Sequence, residues 1–255
     1  MIKYIDINCD MGESYGNFRL GHDLALMPFL SSCNIACGFH GGDPSTLLHT
    51  LEEAGKQGLR IGAHPSLPDL RGFGRTEMRL PLSQLKADIM YQISALSGMA
   101  GALGLSLSYV KAHGFLYHWI HEEEGPAETF LEALHTLDPK LSVMGRPESL
   151  LQKLAKHKGM AYIREGFLDR RYREDGSLLP RSEPSALLDK QEVLAQLRQI
   201  LEKGEVLTRE GSPLALEVDS LCLHGDHPQA LLLAEAVYQQ LSEWQVGLQN
   251  FPAKR

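Results

Sequence analysis

No stretch of this 255-residue sequence approaches the roughly 18 consecutive apolar residues that a spanning helix needs, so a helical membrane protein is not expected. The opening, MIKYIDINCD, turns polar too early for a secretory signal, and a cytoplasmic location follows as the default expectation. Basic character is missing as well. Lys and Arg total 25 against 32 Asp and Glu, a formal charge of −7, and no basic block stands out, which argues against a nucleic-acid partner. Cysteine is scarce. Cys9, Cys33, Cys37 and Cys222 all sit in or beside apolar, strand-like runs and read as buried free thiols. Cys33-x3-Cys37 with His40 has no second cysteine pair to complete a structural zinc site. Also absent are G-x-x-x-x-G-K-[ST], a G-x-G-x-x-G after a strand, and G-x-S-x-G. A nucleotide would therefore bind in a less familiar way, or on a partner.

What is present is alternation. Seven short β-rich runs lie near 2–8, 33–38, 59–63, 107–112, 141–145, 160–164 and 217–223, with helical patterns between most of them. Asp43-Pro44 predicts an N-cap and first helical residue for a helix running to about Lys56 and ended by Gly58. Ser83 is the expected cap of the longest helix, with Leu85, Ile89, Ile93 and Leu96 on one face. Val193, Leu194, Leu197, Ile200 and Leu201 form a second stripe, and Leu231, Ala234, Tyr238 and Leu241 a third; all read as core-facing. Strand–helix alternation without a composition break or linker predicts one α/β domain over 1–255 with a parallel sheet. A closed barrel and an open doubly wound sheet both fit seven strands. Polar groups follow nearly every strand, which favours the barrel, because a barrel gathers its ligands from most strand ends.

Those strand ends carry the candidate chemistry. The first gives Asp6, Asn8, Asp10 and then Glu13; the second, Asn34 and His40; the third, His64; the fourth, Lys111 and His113. The sixth gives Glu165 and then Asp169, and the seventh His224 and Asp226. In a parallel barrel these ends share one rim and converge. Asp6, Asn8 and Asp10 are two apart and so share a face. Three polar residues there cost on the order of 1–3 kcal/mol each if buried and unpaired, which points to an interior site. Two loops look functional: 65–75, with Asp69, Arg71 and Arg75, and 167–184, with Asp169, Arg170, Tyr172 and Arg181. Arginines there suit carboxylate or phosphate, whereas Arg173 and Glu174 read as solvated charges.

The segments NCDMGESYG (8–16), NIACGFHGGD (34–43), GAHPSLPDLRGFGR (62–75), VKAHGFLYH (110–118), REGFLDRRY (164–172), LLPRSEP (178–184) and LCLHGD (221–226) together resemble the LamB/YcsF lactam-utilisation family, understood as the A component of prokaryotic 5-oxoprolinase. The resemblance implies a seven-stranded β/α barrel similar to the glycoside hydrolase/deacetylase superfamily. It implies ATP as co-substrate for opening 5-oxo-L-proline to L-glutamate, with ADP and phosphate released, and partner subunits B and C. Against the usual family pattern, Leu67 stands for a tyrosine, Ala112 for a proline, Phe115 for a small residue, His118 for an asparagine and Ser185 for a glycine. On this reading Asp10 or Glu165 is the general base, and Lys111 with His113 stabilises negative charge on oxygen. Asn8, Glu13, Asn34, Arg71, Asp169, Arg170, Arg181, His224 and Asp226 contact substrate. Asp10, His40, His64 and His113 are the alternative cradle for a divalent metal, zinc or manganese by donor type. Two rival readings stand beside it: a metal-dependent deacetylase or amidohydrolase for a carbohydrate-like substrate, needing no ATP, and a non-catalytic subunit that delivers oxoproline.

Overall fold

The computed structural model describes residues 2–249, so both ends of the expected 1–255 domain lie outside the described residues. The chain opens with β1 (Tyr4–Met11), a one-turn helix α1 (Asp23–Leu26) and β2 (Ser32–Ala36). It continues through α2 (Pro44–Lys56), β3 (Arg60–His64), α3 (Leu82–Ala102), β4 (Tyr109–Lys111), α4 (Gly114–Glu122), α5 (Glu124–Leu137) and β5 (Ser142–Gly145). Then come α6 (Leu150–His157), β6 (Tyr162–Phe167), α7 (Lys190–Lys203) and the strands β7 (Glu205–Leu207) and β8 (Pro213–Ala215). β9 (Ser220–Cys222), α8 (Ala230–Glu243) and β10 (Gly247–Leu248) complete the described chain.

Among the described residues, β1, β2, β3, β4, β5, β6 and β9 form a parallel ring, closed where β9 pairs with β1. The expected seven-stranded barrel is thus the fold. Ile5, Ile7 and Cys9 of β1 face outward into an apolar layer shared with the helices, while Asp6, Asn8 and Asp10 point into the barrel and are buried. Inside the barrel, Tyr109 packs with Met144 and Ile163. Gly62 makes room for that tyrosine: a Cβ there would lie 2.3 Å from the Tyr109 ring. Among the described residues, no helix is long and apolar enough to cross a membrane.

Local rules account for several helix ends. The Asp43 side chain accepts from the Ser45 and Thr46 amides at the start of α2, and Gly58 follows that helix at φ +66°. All four cysteines are buried and free. Four details differ from expectation. Helix α3 begins at Leu82 with Pro81 at its N-cap, so Ser83 lies inside the helix and caps nothing. Tyr238 is 43% exposed and meets Phe29 edge-on, so that stripe faces the core only through its aliphatic members. Strands β1 and β6 run three residues beyond the expected runs, and Asp10 and Glu165, expected at those strand ends, are buried, paired members of the strands. The β7–β8 hairpin and β10, too short to show a period, have no counterpart among the seven runs.

Candidate active site

A ladder of polar side chains climbs the barrel interior from floor to rim. At the floor, Ser31 and Ser32 donate to the Asp6 carboxylate at 2.7 and 2.8 Å, and Ser220 donates as well. Burial pushes the Asp6 carboxyl up, and the three serine hydroxyls offset part of that rise. One step higher, Asn8 donates to Ser220 at 2.7 Å and accepts from Asn34 at 2.7 Å. Asn34 also donates to Asp10 Oδ1 at 2.8 Å and accepts from the Tyr109 hydroxyl at 2.7 Å. Asn8 and Asn34 are therefore engaged with the ladder and hold Asp10 in place.

Lys111 reaches the rim from the end of β4. Its Nζ lies 2.9 Å from Asp10 Oδ1, 2.7 Å from Glu165 Oε1 and 3.3 Å from Cys222 Sγ, with the lysine 2% exposed. Burial works against the ammonium, but Asp10, Cys222 and Glu165 outweigh it and hold the Lys111 pKa well above the ordinary lysine range. Asp10 is the reciprocal case. Burial opposes its charge, yet His64 and Lys111 keep it well below the usual carboxylate range. Glu165 Oε2 has no hydrogen-bond partner in the protein, nor does the buried hydroxyl of Tyr117. Both residues line a cavity of about 20 Å³, room for the centre of one water molecule.

Beside this ion pair stand three imidazoles. His40 and His113 stack with ring centres 3.7 Å apart and planes within 7°. His64 Nε2 is 2.9 Å from His113 Nδ1 and 3.4 Å from Asp10 Oδ2. Glu13 Oε1 lies 3.1 Å from His40 Nε2 and 3.6 Å from His113 Nδ1. The outward nitrogens settle the tautomers. His64 Nδ1 meets the Lys111 carbonyl at 2.7 Å and His113 Nε2 meets the Phe73 carbonyl at 2.8 Å. Carbonyls only accept, so each of those nitrogens carries a hydrogen. In neutral rings the facing nitrogens are then both lone pairs, 2.9 Å apart. Such a contact needs a cation between or beside them, either a proton or a metal ion. Burial pushes His40 and His113 well below the ordinary histidine range. Burial and the nearby Asp10 and Asp226 charges push Glu13 well above its ordinary value; a cation at the imidazoles would offset that.

The ligand atoms of Glu13, His40, His64 and His113 all lie within 4.8 Å of one another, so the donor set fits a divalent ion. The backbone-carbonyl partners of His64 and His113 are what imidazole ligands usually have. Glu13 fills the carboxylate place in this group, whereas Asp10 groups with Cys222 and His224.

The remaining candidates occupy the other side of the rim. Asp169 is fully buried, accepts from the His224 amide at 3.0 Å and lies 2.9 Å from His224 Nδ1. Burial opposes the Asp169 charge, but His224 brings its pKa to about 2. The His224 ring stacks on Phe167, centres 5.5 Å apart. Asp226 Oδ2 takes both Arg75 Nη2 at 2.7 Å and Arg181 Nη1 at 2.9 Å. Arg170 is buried and donates to the Leu179 carbonyl. Arg71 is exposed and forms no ion pair among the described residues; Arg75, four positions on, reaches the rim instead. Of the two charges read as solvated, Arg173 pairs with Glu183 on the surface and Glu174 accepts from Thr208. Sequence reasoning named Arg75 only as a member of a functional loop, and did not name His227. The G-F-G-R and H-G-D-H spacings placing each beside a rim residue were the available signals.

The barrel has solved counterparts. The lactam utilization protein from Thermus thermophilus superposes with a TM-score of 0.91 at 38% identity, covering 97% of this chain and 100% of that one. A family 4 carbohydrate esterase from Streptomyces lividans shares the fold alone, with a TM-score of 0.54 at 10% identity over 99% of this chain and 94% of its own. In sequence, the 5-oxoprolinase A-subunit of Bordetella pertussis is 43% identical over 246 residues, 96% of this chain and 98% of that protein. The protein of the same name from Bacillus subtilis is 40% identical over 238 residues, 93% of each chain. Residues 5–255 match the LamB/YcsF family, and the chain belongs to that family.

Proposed function

We propose that this chain is the A component of an ATP-dependent 5-oxoprolinase, cytoplasmic and working with subunits B and C, that converts 5-oxo-L-proline to L-glutamate with release of ADP and phosphate. The observation that carries the reading is Lys111, a buried ammonium held between Asp10 and Glu165 at the mouth of the barrel. An amide is inert until its oxygen can accept negative charge. Phosphorylating the lactam oxygen supplies that activation, and a fixed cation beside it stabilises the charge that develops when water adds to the carbonyl carbon. Lys111 is that cation. Glu165, with a free carboxylate oxygen beside a water-sized cavity, takes the proton from the attacking water. Asp10 keeps Lys111 charged, and the Asn8–Asn34 ladder keeps Asp10 aimed. Glu165 returns that proton to the ring nitrogen, which leaves as an amine when the C–N bond breaks; the carbon keeps its phosphoryl group as an acyl phosphate, and a further water hydrolyses this to the glutamate side-chain carboxylate and phosphate.

Glu13, His40, His64 and His113 would hold a divalent metal, which when bound polarises an oxygen as a Lewis acid. That quartet also favours a second reading, a metal-dependent amidohydrolase that needs no ATP. One assay separates the two. Glutamate release from 5-oxo-L-proline is followed with purified subunits B and C and ATP, and each component is then omitted in turn. The oxoprolinase reading expects product only when this chain, its partners and ATP are all present. Amide cleavage by this chain alone, without ATP, would favour the second reading.

A further inference from the structure

Arg170 is 7% exposed, yet among the described residues no carboxylate lies within ion-pair distance of it. Its guanidinium donates to the Leu179 carbonyl, and its Nε has no acceptor. A buried cation without a counter-ion is costly, and proteins rarely retain one without use. The nearest carboxylates are already engaged. Asp169 holds His224, and Asp226 Oδ2 is shared by Arg75 and Arg181. Arg75 and Arg181 bring further positive charge toward Arg170, and burial with these neighbours lowers the Arg170 pKa to about 10.

Two more buried donors in the same neighbourhood lack acceptors. Arg181 Nη2 is one. The other is His227, whose Nδ1 accepts from the Gln229 amide at 3.0 Å, so that its hydrogen sits on Nε2, which has no partner. Arg170 donates to the Leu179 carbonyl, two residues before Arg181, and Arg181 pairs at 2.9 Å with Asp226, the residue before His227, which brings the three side chains to one corner of the rim. Three unsatisfied donors from the loops after β6 and β9 thus surround a place with an excess of positive charge.

We infer that Arg170, Arg181 and His227, with Arg75 behind them, form a site for a compact oxyanion, and that its occupant is the carboxylate of the substrate. This rests on the oxoprolinase reading for the identity of the acid. The carboxylate supplies Arg170 with its missing counter-ion. It also orients the ring, since His224, two residues before Asp226, belongs to the group that includes Asp10. A lactam without a carboxylate has nothing to offer this corner. Phosphate is the other compact oxyanion with the right chemistry, and the test separates it.

Calorimetric titration of the full chain uses three probes: 5-oxo-L-proline, 2-pyrrolidinone and inorganic phosphate. Wild type is expected to bind 5-oxo-L-proline, and 2-pyrrolidinone about ten- to a hundredfold more weakly, the range for losing hydrogen bonds to a charged group. Arg170→Met is expected to weaken 5-oxo-L-proline by a similar factor and leave 2-pyrrolidinone unchanged, while Arg170→Lys restores part of the loss and serves as the folded control. Equal binding of the two lactams, or an Arg170→Met chain that binds 5-oxo-L-proline like wild type, overturns the inference without touching the glutamate assay. Arg170-dependent binding of phosphate but not of 5-oxo-L-proline overturns the carboxylate assignment and counts against the lactam reading too. A wild-type chain that binds none of the three overturns the site itself.

Discussion

His64 Nε2 and His113 Nδ1 stand 2.9 Å apart, and each ring has its other nitrogen committed as a donor to a backbone carbonyl. Two neutral imidazoles cannot hydrogen-bond in that arrangement. The contact holds together only with positive charge at the lone pairs. Glu13 and His40 complete the surroundings such a charge requires.

The first expectation concerns metal. The purified chain should carry, or take up, close to one equivalent of a divalent transition ion, measured by elemental analysis. Chelation should lower the melting temperature, by roughly 2–4 °C for each kcal/mol of lost binding. His113→Gln should reduce metal content while the far-ultraviolet circular dichroism is retained. A chain that takes up no metal even when reconstituted would leave the shared proton as the cation.

His121 supplies a pH dependence outside the ion pairs of the rim. It is buried, its Nδ1 donates to the Tyr117 carbonyl, and its Nε2 accepts from the Arg146 amide at 3.0 Å. Burial brings its pKa to about 3, against an ordinary value of 6.5. Between those values the unfolded chain binds a proton that the native chain refuses. This residue's contribution is therefore intact above about pH 6.5 and declines as pH falls toward about 3, by up to about 1.4 kcal/mol per pH unit. Urea unfolding at several pH values measures it. His121→Gln should be less stable than wild type at neutral pH but show a shallower slope by about one proton; an unchanged slope would contradict the assignment.

Much of this architecture was legible in the sequence, and the reasons are specific. The two-residue spacing of Asp6, Asn8 and Asp10 marked the interior of β1, because a strand's alternation is rigid. The histidines at the ends of β3 and β4 marked the rim, because a parallel barrel gathers its strand ends. Two things were not legible. Spacing does not say which carboxylate reaches which imidazole, and it is Glu13, on the loop after β1, that approaches His40 and His113, while Asp10 lies between Lys111 and His64. Nor does it say which arginine of the 65–75 loop points inward, since a loop has no period. Arg75 reaches Asp226 although its side chain is 39% exposed, whereas Arg71 forms no ion pair among the described residues.

Ser185 offers a test of backbone strain. It stands where the resemblance leads one to expect glycine, and its φ is +65°, in the left-handed region that penalises a Cβ. Ser185→Gly should stabilise the chain by about 0.5–1 kcal/mol, the left-handed penalty less glycine's greater unfolded-state entropy. Equilibrium unfolding at neutral pH checks the sign; destabilisation would mean that the serine side chain contributes more than its backbone costs.

Lys111 decides the central claim. Lys111→Met keeps the length and apolar stem of the side chain and removes its charge from between Asp10 and Glu165. The measurement is ATP-dependent glutamate release from 5-oxo-L-proline by the complete set of subunits, with the variant in place of wild type and its fold verified by circular dichroism. A folded variant whose turnover falls by at least about a hundredfold, the scale of losing one preorganised charge donor, is the expected result. A folded variant that turns over at the wild-type rate would remove Lys111, and with it the barrel rim, from the chemistry.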